Sequence, residues 1–152
     1  MISFIVKKFT DLNTQEIHDL YALRSQVFVV EQNCVYQDID GNDIDAFHVL
    51  GLEKNILAAY ARIIRNRNPN SDYIVIGRIV ILKACRGKKL GHDLVKFCIE
   101  TIEKNHPKEH IKISAQAHLE DFYKRHGFQK EGKSYFEDGI PHISMIKKSS
   151  SG

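Results

Sequence analysis

The sequence predicts a mixed α/β domain with one central sheet. Residues 2–9 alternate around Ile and Val, residues 73–82 form a near-continuous apolar run, and apolar residues between Leu90 and Ile102 recur at helical spacing. Alternation predicts a strand with one buried face, and a continuous run is typical of a strand buried on both faces. Strand-like and helical segments that follow one another in this way favour helices packed on a sheet.

Caps, breakers and short apolar runs predict the other elements. The first helix is predicted to begin after Asn13, whose side chain can cap it, with Glu16 completing a capping box. Its apolar stripe extends to Phe28 and includes Arg24. A lone Arg in such a stripe pairs with an acid, snorkels or faces a site, and pairing is favoured. Further strands are predicted at 46–52, 56–65, 111–114, 128–137 and 141–147, a polar loop at 66–71, and a short helix at 119–126.

Length and composition limit the classes of protein. The 152 residues suit a single domain, predicted at 1–148, followed by a flexible tail at 149–152. A net charge of +3 is too small to indicate a nucleic-acid partner. The three cysteines include no C-x-x-C pair, which favours reduced thiols in a cytoplasmic protein. No signal peptide and no run of 18 apolar residues is present, so no membrane partner is expected.

The segment after the long apolar run is basic and contains two glycines. Arg86, Gly87, Lys88, Lys89 and Gly91 stand where the next helix begins. A helix start presents free N–H groups and a positive dipole, and glycine admits close approach of a phosphate. These features predict a pyrophosphate cradle, with a solvated basic turn as the alternative. The spacing fits neither the Walker pattern GxxxxGK(S/T) nor the dinucleotide pattern GxGxxG.

The same loop resembles the acetyl-CoA loop of the GNAT superfamily of N-acetyltransferases. That loop has the pattern (Q/R)xxGx(G/A), in which x is any residue. Here Arg86 and Gly91 match its ends, and Lys89 replaces the middle glycine. About 30 residues on, the segment from Phe122 through Tyr123 to Phe128 resembles the FYxxxGF segment of the superfamily.

Short segments along nearly the whole chain narrow the resemblance to the ElaA-type group of that superfamily, in which a Lys at the position of Lys89 is not unusual. The segments are residues 24–32, 36–40, 60–63, 77–78, 115–119 and 138–143. The resemblance implies a single-domain GNAT-like fold. It has a mixed central sheet of about six to seven strands flanked by about four helices.

The resemblance also implies the chemistry. The protein would move an acetyl group from acetyl-CoA, its cosubstrate, to a primary amine by direct attack in a ternary complex. Tyr123 resembles the general acid that protonates the leaving thiolate, and a phenol suits this task because it stays protonated at neutral pH. Glu31 is the first candidate for the base, directly or through water. His48, His118 and His142 are further candidates.

A set of backbone and side-chain groups is implied to bind the cosubstrate. They are Ile79, Val80, Ile81, Arg86, Gly87, Lys88, Lys89, Leu90, Gly91, Gln116 and Tyr123. Plain sheet pairing is the alternative for the first three. Gln116 has two alternatives, contact with the acceptor or a structural hydrogen bond.

Local charge predicts a cationic acceptor, a small-molecule amine or a peptide end. Five carboxylates fall within fifteen residues and can attract an ammonium group: Glu31, Asp38, Asp40, Asp43 and Asp45. A surface turn rich in Asp and Asn is the alternative. The residues assigned to the acceptor site are Arg24, Asp38, Asp40 and His118. No metal is expected, because the histidines form no H-x-x-x-H pair and the acidic segment lacks the glycine position of an EF-hand.

Two other functions compete with acetyl transfer. A non-catalytic module that senses acetyl-CoA would need the loop but not Tyr123. A nucleic-acid binder would use the same cations but would need aromatic side chains beside them for stacking, and residues 83–91 contain none. A homodimer is compatible with either acetyl-CoA-binding function.

Overall fold

The computed structural model describes residues 2–65 and 73–149 of the chain. Seven strands form one sheet in the order β1-β2-β3-β4-β5-β7-β6. The strands are β1 Ser3–Lys8, β2 Phe47–Glu53, β3 Ile56–Arg65, β4 Tyr73–Ile81, β5 His110–Gln116, β6 Gln129–Glu137 and β7 Ile140–Lys147. All neighbours in the sheet are antiparallel except β4 and β5, which are parallel. The predicted mixed sheet is confirmed.

Three α-helices and one π-helical segment lie in the described parts of the chain. They are α1 Thr14–Arg24, α2 Leu90–Asn105, α3 Glu120–Lys124 and the π-helical segment Ser25–Glu31, which continues α1. The predicted short helix at 119–126 is a 3-10 turn, Ala117–Leu119, followed by α3. The predicted loop at 66–71 and residues 150–152 of the predicted tail lie outside the described residues. The N–H of Ser149 donates to His110 Nδ1 at 2.9 Å.

The predicted capping box at the first helix is confirmed. Asn13 Oδ1 accepts the N–H of Glu16 at 2.8 Å, and Glu16 Oε1 accepts the N–H of Asn13 at 2.9 Å. Lys7 on β1 also binds the Glu16 carboxylate at 2.9 Å. The start of α1 is therefore stabilised by its own capping box and by an ion pair with the edge strand β1.

The sheet is covered by α2 on one face and by α1 on the other. On the α2 face, Leu94 and Cys98 are fully buried against a core that includes Ile76. On the α1 face, Leu20 packs in a second cluster with Val80. No helix of residues 2–65 and 73–149 is long and apolar enough to cross a membrane.

A bulge in β4 makes this two-sided packing possible. Between the pairs Arg62↔Gly77 and Tyr60↔Val80, β4 has two residues where β3 has one. Because side chains alternate along a strand, an unbulged strand would direct Ile76 and Val80 to the same face. The bulge directs them to opposite faces, and the backbone at Arg78 has a φ of +50°.

Candidate functional site

A cavity of about 650 Å³ lies between β4 and β5, which pair in parallel. The register between these strands ends at Val75↔Lys112. Beyond that pair the cavity is lined by the second halves of both strands, Ile76–Ile81 and Ile113–Gln116. The π-helical segment, α3 and the turn between β6 and β7 supply the other walls. The sheet therefore opens where the predicted cofactor residues Ile79, Val80 and Ile81 stand.

The basic loop reaches the same cavity through Arg86 and Gly91. It leads into α2 with left-handed backbone at Gly87, φ +85°, and at Lys89, φ +62°. Lys89 is the N-terminal cap of α2, and its conformation is one that glycine adopts at little cost. Glycine, which the resembling pattern has at this position, adopts this backbone geometry readily, and Lys89 supplies the same geometry with a cation attached.

Arg86 is bound to two acceptors at the mouth of the cavity. Its Nε donates to the carbonyl of Ile81 at 3.1 Å, and its Nη1 donates to Glu31 Oε1. The hydrogen bond from Arg86 lowers the pKa of the Glu31 carboxyl. A carboxylate with a lowered pKa is a weaker proton acceptor. The role of Glu31 as the base stays a prediction, and its ion pair with Arg86 counts against that role.

Tyr123 is buried at the wall formed by α3. Its ring meets Phe122 and Phe128 edge-on, with centroids 4.9 and 6.0 Å away. Burial raises the pKa of the phenol well above its usual value, so the hydroxyl stays protonated at neutral pH. The phenol that lines the cavity is protonated, as the predicted acid role requires, and its raised pKa makes it a weaker proton donor.

The acidic segment is held by arginines from three elements. Arg24 Nη1 lies 2.7 Å from Asp43 Oδ1, and Arg24 Nε lies 2.8 Å from Asp38 Oδ2. Arg62 binds Asp40 with both terminal nitrogens, at 2.9 and 2.7 Å. Three further contacts complete the cluster: Arg62 Nη1 to Asp43 at 3.2 Å, and Arg78 to Asp38 at 2.7 Å and to Asp40 at 3.4 Å.

This cluster corrects two predictions about the acceptor site. Arg24 is fully buried, and Asp38 is bound by Arg24 and Arg78; neither is among the described residues that line the cavity, so neither is placed to contact an acceptor there. Arg24, Arg62 and Arg78 balance Asp38, Asp40 and Asp43, which gives 3 − 3 = 0 charges. Three of the five carboxylates on which the predicted attraction of ammonium depended are therefore neutralised by arginines. Asp40 does line the cavity.

The other predicted residues take different positions. Gln116 ends β5 at the cavity, and the exposed His118 lines it from the following turn. His48 is fully buried outside it, where its Nε2–H donates to the Asp43 carbonyl at 2.8 Å and its Nδ1 accepts from Tyr60 at 2.6 Å. His48 therefore belongs to the support of the acidic segment. Burial also lowers its pKa.

Comparison with known proteins agrees with this geometry. The model of the GNAT acetyltransferase domain matches residues 9–149. The chain belongs to the GNAT acetyltransferase family. It is 43% identical to the protein ElaA of Escherichia coli K12 over 141 residues, which cover 91% of this chain and 92% of that protein. The predicted membership of the ElaA-type group is confirmed.

Two crystal structures share the fold of this chain closely. The structure of Escherichia coli ElaA superposes with a TM-score of 0.92 at 41% identity, covering 97% of this chain and 100% of that one. An acyl-CoA N-acyltransferase from Pseudomonas aeruginosa gives 0.90 at 38% identity, covering 97% and 99%. The opening between β4 and β5 therefore belongs to a GNAT fold.

The GNAT cavity also includes side chains to which the sequence assigned no role. They are Cys34, Tyr36, Arg78, Ser114, Glu137, Asp138 and Ile140. The last three belong to the β6–β7 hairpin, whose two-residue turn has positive φ at both Asp138 and Gly139. An Asp-Gly pair is typical of such a two-residue hairpin turn. The sequence held no signal that the hairpin reaches the cavity, because that depends on the order β5-β7-β6 in the sheet.

Proposed function

We propose that this GNAT protein transfers an acetyl group from acetyl-CoA to a primary amine by direct attack in a ternary complex. One observation carries the proposal. A single cavity joins the diverging edge of β4, the start of α2 and the phenol of Tyr123. These features supply backbone partners for an extended chain, an anion site and a proton donor.

Different residues would bind the parts of acetyl-CoA and donate the proton. The backbone of Ile79, Val80 and Ile81 would bind the pantetheine arm as an added strand would, through main-chain hydrogen bonds. Residues 86–91 would bind the pyrophosphate through helix-start N–H groups and their cations, and Gln116 would contact the cofactor or the acceptor. Tyr123 would donate its proton to the sulfur as the C–S bond breaks.

Direct attack is supported by the state of the buried thiol that interacts with Tyr123. Burial raises the pKa of Cys98 to about 12, so this thiol stays protonated. A thiol is a poor nucleophile, since the thiolate is the reactive form. An acetyl-enzyme at Cys98 is therefore disfavoured, which supports attack of the amine on the thioester itself.

The proposed acceptor is the primary amine of a small molecule or of a peptide end. Asp38, Asp40 and Asp43 do not support this choice of acceptor, because their carboxylates are paired with arginines. We propose the cytoplasm as the compartment, because acetyl-CoA is the proposed cosubstrate and Cys34, Cys85 and Cys98 are free thiols.

Calorimetry and thiol release test the proposal together. Acetyl-CoA is expected to bind at 1:1 stoichiometry, more weakly at high salt. Thiol is then expected to be released with at least one amine of a panel comprising phenethylamine, spermidine, glucosamine and a peptide with a free N-terminus. Arg86→Gln is expected to weaken binding. Arg65→Gln is the matched control. Arg65 lies at the outer end of β3 and also pairs with a glutamate, Glu109, at 2.8 Å.

The outcomes separate the competing functions. Absence of acetyl-CoA binding at millimolar ligand contradicts the whole proposal. Binding without thiol release across the panel favours the sensor function. Equal loss of binding in Arg86→Gln and Arg65→Gln assigns the effect to net charge and contradicts the proposed role of the loop.

A further inference from the structure

His142 stands on β7 with its ring held in one tautomer. Its Nδ1 lies 2.7 Å from the carbonyl oxygen of Ile140. A carbonyl oxygen only accepts, so Nδ1 carries the hydrogen and donates it. In the neutral ring the lone pair is then on Nε2. His142 is 9% exposed and lines the cavity, so this basic nitrogen belongs to a buried group of the site.

A carboxylate stands beside that nitrogen. Glu137, the last residue of β6, places Oε2 3.4 Å from His142 Nε2. The ring of Tyr135 stacks on the His142 ring at 6.2 Å between centroids. Tyr135 also contacts Ser114 Oγ on β5, which lies 3.4 Å from Glu137 Oε2. When Nε2 gains a proton, the neighbouring carboxylate stabilises the imidazolium that forms.

We propose that His142 is the general base that takes the proton from the acceptor amine. The inference rests on the proposed function, which it deepens by naming a residue of the reaction. His142 and Tyr123 line the same cavity. The sheet places His142 opposite Gln116, at the end of β5 from which the chain continues towards α3.

The proton balance of the step is complete. An arriving ammonium first loses one proton to solvent through Nε2. The amine nitrogen then forms the C–N bond to the thioester carbonyl carbon and passes a second proton to Nε2. The C–S bond breaks, its electron pair goes to sulfur, and Tyr123 protonates the thiolate. Solvent returns the proton of His142 to Tyr123.

Other candidates for the base are worse placed. Glu31 is engaged by Arg86, and both ring nitrogens of His48 are hydrogen-bonded in the buried cluster. His118 lines the cavity but is exposed. The groups that face His142 are Ser114 and Gln116 from β5, Tyr135 and Glu137 from β6, and Asp138 from the turn.

His142→Gln is the first test, with the fastest amine of the panel as acceptor. Its kcat is expected to fall by about 10²–10⁴, while acetyl-CoA affinity in calorimetry stays at the parent value. The rise of kcat with pH that reports deprotonation of the base is expected to disappear. Glu137→Gln is expected to keep that rise and to lower kcat by less than His142→Gln does, since the base remains and only its neighbouring carboxylate is lost. His18→Gln, an exposed histidine on α1, is the matched control.

A second measurement needs no acceptor and no variant. Nitrogen-15 NMR of the histidine rings in the parent protein is expected to place the hydrogen of neutral His142 on Nδ1. A hydrogen on Nε2 overturns the proposal, and so does a His142→Gln protein with the parent's kcat and pH profile. If the parent binds no acetyl-CoA, the proposed function fails as well. If the parent turns over and only the His142 predictions fail, the proposed function stands without this base.

Discussion

Arg24 and Asp43 form an ion pair inside the protein, with Arg24 Nη1 2.7 Å from Asp43 Oδ1 and the arginine side chain fully buried. The pair joins the end of α1 to the acidic segment 19 residues later. Burial lowers the pKa of the guanidinium, and the hydrogen bond and charges of its partners raise it by more. The carboxylates of this segment therefore serve the fold that supports the cavity wall.

Replacement of Arg24 by Met should destabilise the protein strongly. Removal of one partner of a buried pair leaves uncompensated charge, which costs about 3–5 kcal/mol. Urea unfolding at pH 7 measures the change. Arg65→Met is the matched control, because the exposed Arg65–Glu109 pair contributes about 0–1 kcal/mol. Equal changes in the two variants would show that the buried cluster is not needed for stability.

Acid should weaken the fold through the same cluster. The hydrogen bonds from Arg62 lower the pKa of Asp40. The pKa of Asp43 is lowered too, because its arginine partners outweigh burial. A carboxyl with a lowered folded-state pKa contributes stability above its ordinary pKa of about 4, and that stability is lost as the pH falls towards the folded value. The urea concentration at the midpoint of unfolding should therefore fall as the pH is lowered below 5. Asp40→Asn should flatten this dependence, and an unchanged slope would contradict the assignment.

Lys89→Gly tests the left-handed cap of α2. Release of a non-glycine residue from φ +62° gains roughly 1–2 kcal/mol, and the extra freedom of glycine in the unfolded chain costs about 0.5–1 kcal/mol. The expected net effect is a stabilisation of up to about 1.5 kcal/mol in thermal or urea unfolding. Lys88→Gly removes a charge from the same loop without relieving a positive φ, so it should destabilise. Similar changes in both variants would contradict the strain at Lys89.

Tyr123→Phe should keep acetyl-CoA affinity and lower turnover by about 10²–10⁴. The ring keeps its edge-on contacts with Phe122 and Phe128, and only the proton donor is lost. Single-turnover thiol release measures the chemical step, and calorimetry checks binding. A rate equal to that of the parent would mean that water or another group protonates the sulfur.

Local signals in the sequence were sufficient for much of the fold. The capping box at Asn13, the apolar run of β4 and the Asp138-Gly139 turn each lie within a few residues, where periodicity and turn chemistry act. The arginine partners of the acidic segment lie 14 to 40 residues away, and no periodic pattern links such positions. The π-helical segment was missed for a related reason, since its apolar residues continue the helical stripe of α1. The cofactor loop could be predicted because a short stretch of chain contains all of it, whereas the cavity wall from β7 depends on sheet order.

Glu31→Gln separates two roles for the carboxylate that faces Arg86. If Glu31 only holds Arg86, its neutralisation should free the guanidinium for the pyrophosphate, and acetyl-CoA affinity should rise by several fold with little change in kcat. The charge of Glu31 otherwise competes with the phosphates for the same nitrogen atom. If Glu31 is the base, kcat should fall by about 10²–10⁴ and affinity should change little. Glu53→Gln on β2 is the control for the loss of one negative charge outside the cavity lining.

We expect the first pattern, because the hydrogen bond from Arg86 lowers the pKa of Glu31 and His142 has an unshared Nε2 lone pair in the same cavity. A fall in kcat with unchanged affinity would return the base to Glu31 and contradict its assignment to His142.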